Sequence, residues 1–129
     1  MIPVSRILVA AIGILALLGV GQHWFDLDAV FAERGMQAVG DIGRANLRAD
    51  VGGLFLAIAC FTLFAAARQN RHALLAAALM LCATLLGRFV SVALDGYSVR
   101  VGPPMFIELA LIVILFSIHH VWRKKPEGL

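Results

Sequence analysis

Charge is what this chain has least of. Only 15% of its 129 residues are Asp, Glu, Lys or Arg, and 61% are hydrophobic, against about 25% charged and about 45–50% apolar in a soluble domain. That deficit excludes an ordinary soluble globule. Cysteine is scarce too. Cys60 and Cys82 stand alone inside apolar runs with no CxxC pair, which excludes a disulfide scaffold, a zinc ribbon and a dithiol redox motif. Four histidines occur without an HxxxH or ExxH spacing, so a haem or di-metal helix-bundle site has no ligand set. His119 and His120 are adjacent and project to different sides of a helix, His72 and His23 fall on opposite sides of the membrane, and no metal, cofactor or catalytic residue is assigned.

What is present is four apolar blocks, each near the roughly 20 residues that cross about 30 Å of hydrocarbon. They predict an all-α, four-helix transmembrane bundle in one domain, with helices at about 4–25, 47–67, 73–94 and 104–122. The first block follows Arg6 as a signal peptide would, but it is long for an h-region and no A-x-A site follows it, so it reads as a retained helix. Arg68-Gln69-Asn70-Arg71 is a tight polar turn, and helices 2 and 3 are expected to form an antiparallel hairpin. Pro103-Pro104 suits a helix start. Residues 22–46 form the one long connection, with Leu27, Val30, Phe31 and Met36 at loosely helical spacing for a short interfacial helix. Trp24 and Phe25 fit an aromatic belt.

The net charge of +3 does not imply nucleic acid, because the basic residues flank apolar blocks and act as topology signals. One side collects Arg6, Arg68, Arg71, Arg123, Lys124 and Lys125; the other collects Arg34, Arg44, Arg48 and Arg100. The six-to-four margin predicts both termini in the cytoplasm.

Five charged residues at or near membrane depth require an account: Arg48, Asp50, Arg88, Asp95 and Glu108. Arg88 lies seven residues before Asp95 and so roughly 10 Å below the end of helix 3; Glu108 lies four residues into helix 4, about 6 Å deep. Similar depth on consecutive antiparallel helices makes them a natural pair. Thr84, Arg88, Ser91 and Asp95 share one stripe of helix 3, expected to face the bundle interior or a water-filled crevice. Arg48 and Gly52 share a face of helix 2 while Asp50 points elsewhere, and Gly52-Gly53 is expected to leave a gap for a neighbouring backbone or a ligand. The two thiols read as small hydrophobes.

LRADVGG at 47–53, GRFVSVALDG at 87–96 and Glu108 within PMFIELALI resemble a family of small, mostly bacterial four-helix membrane proteins known as domain of unknown function 4345, and more distantly the DoxX-like group in architecture. The resemblance implies a place in the bacterial cytoplasmic (inner) membrane and a family pattern at Arg48, Gly52, Gly53, Arg88, Asp95, Gly96 and Glu108. It implies no activity.

Three functions compete. The first is a non-enzymatic membrane protein whose outer-leaflet cluster of Arg48, Gly52, Arg88, Ser91, Asp95 and Glu108 binds a lipid-like or amphipathic small molecule, with Arg48 and Arg88 taking an anionic or carbonyl group. The second is an accessory subunit of a homo-oligomer or larger membrane complex, its charges purely structural. The third is a membrane enzyme using Glu108 as acid or base on an apolar substrate. Membrane lipids are the expected partners, and nucleic acid is not.

Overall fold

A computed structural model describes residues 2–124, and no strand occurs among them. The chain forms α1 (Ile2–Phe25), α2 (Leu27–Glu33), α3 (Gly40–Leu47), a π-helical segment (Arg48–Gly52), α4 (Gly53–Arg68), α5 (Arg71–Asp95) and α6 (Gly102–Arg123). The fold class is as the apolar blocks predict. Four spans are long and apolar enough to cross a membrane: Pro3–Phe25, Gly40–Arg68, Arg71–Asp95 and Gly102–Arg123. Lys125, one of the six basic residues counted on one side of the membrane, lies outside the described residues.

Two boundaries differ from the expectation, and both matter for the site. The second span begins at Gly40 rather than near Leu47, because α3, the π segment and α4 run on without a break. At 1.5 Å per residue its 29 residues extend roughly 43 Å, well past the hydrocarbon. The fourth helix begins at Gly102, with proline in its first turn. Glu108 therefore lies six residues in, roughly 9 Å from the helix start, which brings it level with Arg88.

The helices alternate in direction. α1 packs against α4, α4 against α5, and α5 against α6; α6 closes back on α1 through Trp122, whose Nε1–H donates to Ser5 Oγ at 2.9 Å. The seams are built from small residues, with Ala59, Ala65, Ala77 and Ala78 all buried, which lets backbones approach where lipid offers no hydrophobic drive between helices. Between α1 and α4 the approach is close at Gly13: a Cβ there would stand 2.7 Å from both Leu63 Cγ and Thr62 Oγ1. Thr62 is held in place by donating its buried hydroxyl to Ile58 O (2.7 Å) and Ala59 O (3.1 Å). Gly13→Ala is therefore expected to lower stability by about 1–3 kcal/mol through overpacking, read as a lower Tm in detergent.

The tight turn is closed by Gln69 in the left-handed conformation (φ 53°) and by Asn70, whose side chain accepts from His72 N (2.9 Å) and Ala73 N (3.0 Å) to cap α5. Arg6 tethers α1 to this turn by donating to Ala66 O (2.8 Å) and Ala67 O (3.0 Å), carbonyls that the end of α4 leaves open.

The outward faces are apolar. Ile7, Leu15, Leu18, Leu86, Phe106 and Ile107 keep 61–70% of their surface uncovered, a belt that water would penalise heavily and hydrocarbon would not. This is the architecture of an integral membrane protein. Cys60 sits on that outward face rather than among buried hydrophobes, while Cys82 is half-buried. A membrane-impermeant maleimide is expected to label neither thiol in intact membranes; once the protein is in detergent, Cys60 should react before Cys82. Rapid labelling in membranes would mean that water reaches the span.

Candidate functional site

The polar residues of interest gather at the loop end of the bundle, where α1 finishes, α4 begins, α5 finishes and α6 begins. Arg88 of α5 and Glu108 of α6 form the expected pair: Arg88 Nε donates to Glu108 Oε1 at 3.0 Å and Oε2 at 2.9 Å. The geometry is unusual for these partners. Only the Nε edge meets the carboxylate, and the two terminal nitrogens, the fork that ordinarily grips an anion through parallel bonds, have no partner among the described residues. The Glu108 side chain is 14% exposed and that of Arg88 35%, so the glutamate is the more deeply buried partner.

Residues 26–39, within the 22–46 connection expected to hold a short interfacial helix, deliver a second cation. Leu27 and Phe31 bury almost completely and anchor α2 to the bundle. The helix stops in a paired cap, with Gly35 N donating to Ala32 O (3.1 Å) and Met36 N to Phe31 O (2.8 Å), and Gly35 takes the left-handed φ of 71° that this cap needs. That stop holds Arg34 with its guanidinium 5.6 Å from the centre of the Phe55 ring, a cation–π distance. The guanidinium makes no hydrogen bond or ion pair among the described residues. Arg34 is exposed overall, but partial desolvation of its guanidinium, and then the positive charge of Arg88, lower its pKa; Glu108, and more weakly the exposed Glu33, oppose them. The net direction is down, because desolvation is the largest of these effects. An exposed ion pair, Arg44 Nη1 with Asp28 Oδ1 at 2.6 Å, ties α3 to α2 without entering the cluster.

His23 stacks on the same Phe55 ring. It is 1% exposed, its ring lies 4.7 Å from Phe55 in a stacked arrangement and 5.3 Å edge-on from Phe31. Nδ1 stands 2.6 Å from Gly19 O; a carbonyl only accepts, so Nδ1 carries the hydrogen. Nε2 is buried with no partner among the described residues, and an unmet buried polar atom costs about 1–3 kcal/mol.

Arg48 and Gly52 do share a face, but what they meet is Trp24. Arg48 Nε donates to Trp24 O (3.0 Å) and Trp24 Nε1 donates to Arg48 O (3.1 Å). A Cβ on Gly52 would stand 2.6 Å from Trp24 Cδ1 and closer still to Nε1. The expected gap at Gly52 is thus filled by the indole, while Gly53 faces open space. Trp24 is half-buried in this clasp instead of serving as a free belt residue, whereas Phe25 is 87% exposed. The π segment sits at this join, as such irregular turns often do at sites. Asp50 points outward as expected.

The stripe on α5 divides. Thr84 is half-buried and donates to Leu81 O (2.8 Å), and Arg88 meets Glu108. Ser91 and Asp95 are exposed and sit 3.5 Å apart, Oγ to Oδ2. They do not face the interior, because the end of α5 has outrun its packing partners: every residue from Ala93 to Arg100 is exposed. No group of three or more His, Cys, Asp or Glu side chains among the described residues could hold a metal ion.

No family model matches this chain, and no curated protein or solved structure matches it.

Proposed function

We propose that this integral membrane protein binds an amphipathic molecule with an anionic or carbonyl head group at the loop end, without performing chemistry on it. The observation that carries this reading is the unused fork of Arg88, turned away from Glu108 and accompanied by an unpaired Arg34. A guanidinium at membrane depth normally acquires a partner for its remaining donors, and a phosphate or carboxylate matches that fork. Glu108, with both oxygens engaged by Arg88, serves as the charge partner that positions the guanidinium. Arg48 belongs to the clasp on Trp24, and it supports the site by fixing α1 against the π segment.

Binding of dioleoyl phosphatidylmethanol, an anion, and dioleoyl phosphatidylcholine, a zwitterion with the same chains, tests this in purified protein. The anion should bind more tightly, and Arg34→Gln should reduce its binding several-fold with phosphatidylcholine unaffected. Equal binding of both lipids would sink the reading.

The membrane setting we propose is the bacterial cytoplasmic membrane, with both termini in the cytoplasm and the loop end outside. The basic residues, six against four, support the orientation, and the motif resemblance supports the setting. A reporter active only in the cytoplasm should work when fused after Lys125, and one active only outside should work at Gly40. The opposite pattern would invert the cluster to the inner leaflet.

A further inference from the structure

The orphaned atom of His23 adds a requirement on the ligand. Nε2 is the tip of the ring, farthest from the α1 backbone, and in the neutral imidazole with Nδ1 protonated it carries a lone pair. It is fully buried, it is unmet among the described residues, and it lies between α1, α2 and α4, flanked by Phe31 and Phe55. The same Phe55 ring carries Arg34 on it. An acceptor and a cation thus share one aromatic platform. Buried polar atoms are otherwise almost always satisfied, and each exception asks for a missing partner. Arginines supply only donors and so cannot be that partner's acceptor counterpart; the lone pair of Nε2 needs an O–H or N–H.

We propose that His23 Nε2 is the hydrogen-bond-accepting subsite of the loop-end site, so that the molecule bound there is an anionic amphiphile whose head group also carries a hydroxyl, of the kind a hydroxylated phosphodiester lipid presents. This rests on the anion-binding reading above. The anion meets Arg34 and the fork of Arg88, and the hydroxyl meets Nε2 beside Phe55.

Two lipids of equal charge and identical chains isolate the hydroxyl: dioleoyl phosphatidylglycerol, which has it, and dioleoyl phosphatidylmethanol, which lacks it. Titrations of the purified full chain followed by native mass spectrometry should show phosphatidylglycerol binding about tenfold more tightly, the scale of one additional net hydrogen bond. His23→Phe should abolish that preference and leave phosphatidylmethanol binding unchanged, and His23→Gln, which keeps an acceptor, should restore part of it. In the unaltered protein the ¹⁵N signal of Nε2 should move on adding phosphatidylglycerol and stay with phosphatidylmethanol, a readout independent of whether the variants fold. Equal binding of the two lipids, an unmoved imidazole signal, or a preference that survives His23→Phe would each overturn the His23 subsite while leaving the anion reading in place. Failure of both lipids to bind would overturn the anion reading and this inference with it.

Discussion

Removing either partner of the Arg88–Glu108 pair should destabilise the bundle, and removing both should recover much of the loss. The two single changes should not cost the same. Arg88→Leu leaves a carboxylate whose side chain is only 14% exposed, and stranding a buried charge costs about 3–5 kcal/mol in soluble proteins. Glu108→Gln leaves a guanidinium with 35% of its side chain exposed, which can reorient toward head groups or water. Its cost should be nearer about 1.5–3 kcal/mol, the scale of a hydrogen bond to a charged group. The double change, Arg88→Leu with Glu108→Leu, puts apolar side chains where apolar neighbours already are, and such replacements are often neutral. Thermal unfolding in detergent reports the cycle. Additive single effects would mean that the residues do not interact.

Gly52→Ala should be the most damaging single methyl at the loop end. Its Cβ would stand 2.6 Å from Trp24 Cδ1, against an indole that cannot yield while both clasp bonds hold. Overpacking of this sort costs about 1–3 kcal/mol, and the Trp24–Arg48 bonds, worth about 0.5–1.5 kcal/mol each, should go with it. A lowered Tm together with a shift in tryptophan emission would mark expulsion of Trp24. Gly53→Ala, facing open space, is the control and should leave the emission unchanged. An unaltered spectrum in Gly52→Ala would mean that Trp24 does not occupy the groove.

The pairing of Arg88 with Glu108 was legible in the sequence because it follows from rise per residue along two antiparallel helices, and depth is a one-dimensional quantity. Facing is not. The stripe from Thr84 to Asp95 is a true helical stripe, yet whether its outer half meets a neighbour depends on where α6 starts and α4 ends, and no periodicity encodes that. Gly52 was legible as a place of close approach but not as the seat of Trp24, since the indole comes from another helix. Arg34 and His23 were missed for a related reason. Arg34 lies in a polar stretch where a charge is unremarkable, and only the Gly35 cap and the burial of Phe31 turn it toward Phe55. His23 ends an apolar helix, where a histidine is ordinarily a cap; its significance is the unmet Nε2, a property of the packed state alone. Gly35 following Arg34, with two apolar positions four apart at Leu27 and Phe31, was the available signal for a docked helix that ends at a defined cation.

The central claim is that the Arg34–Arg88 end holds an anionic amphiphile. It is tested most directly by native mass spectrometry of the Arg88→Leu, Glu108→Leu double variant beside the unaltered protein, both purified from the same membranes. The double variant keeps the pair's local charge balance and should keep the fold, but it has no fork. The account predicts that the unaltered protein carries a co-purifying anionic lipid-sized adduct, and that the double variant, equally stable, loses it. Retention of the same adduct at the same occupancy would contradict the account and leave the pair as a purely structural neutralisation between α5 and α6.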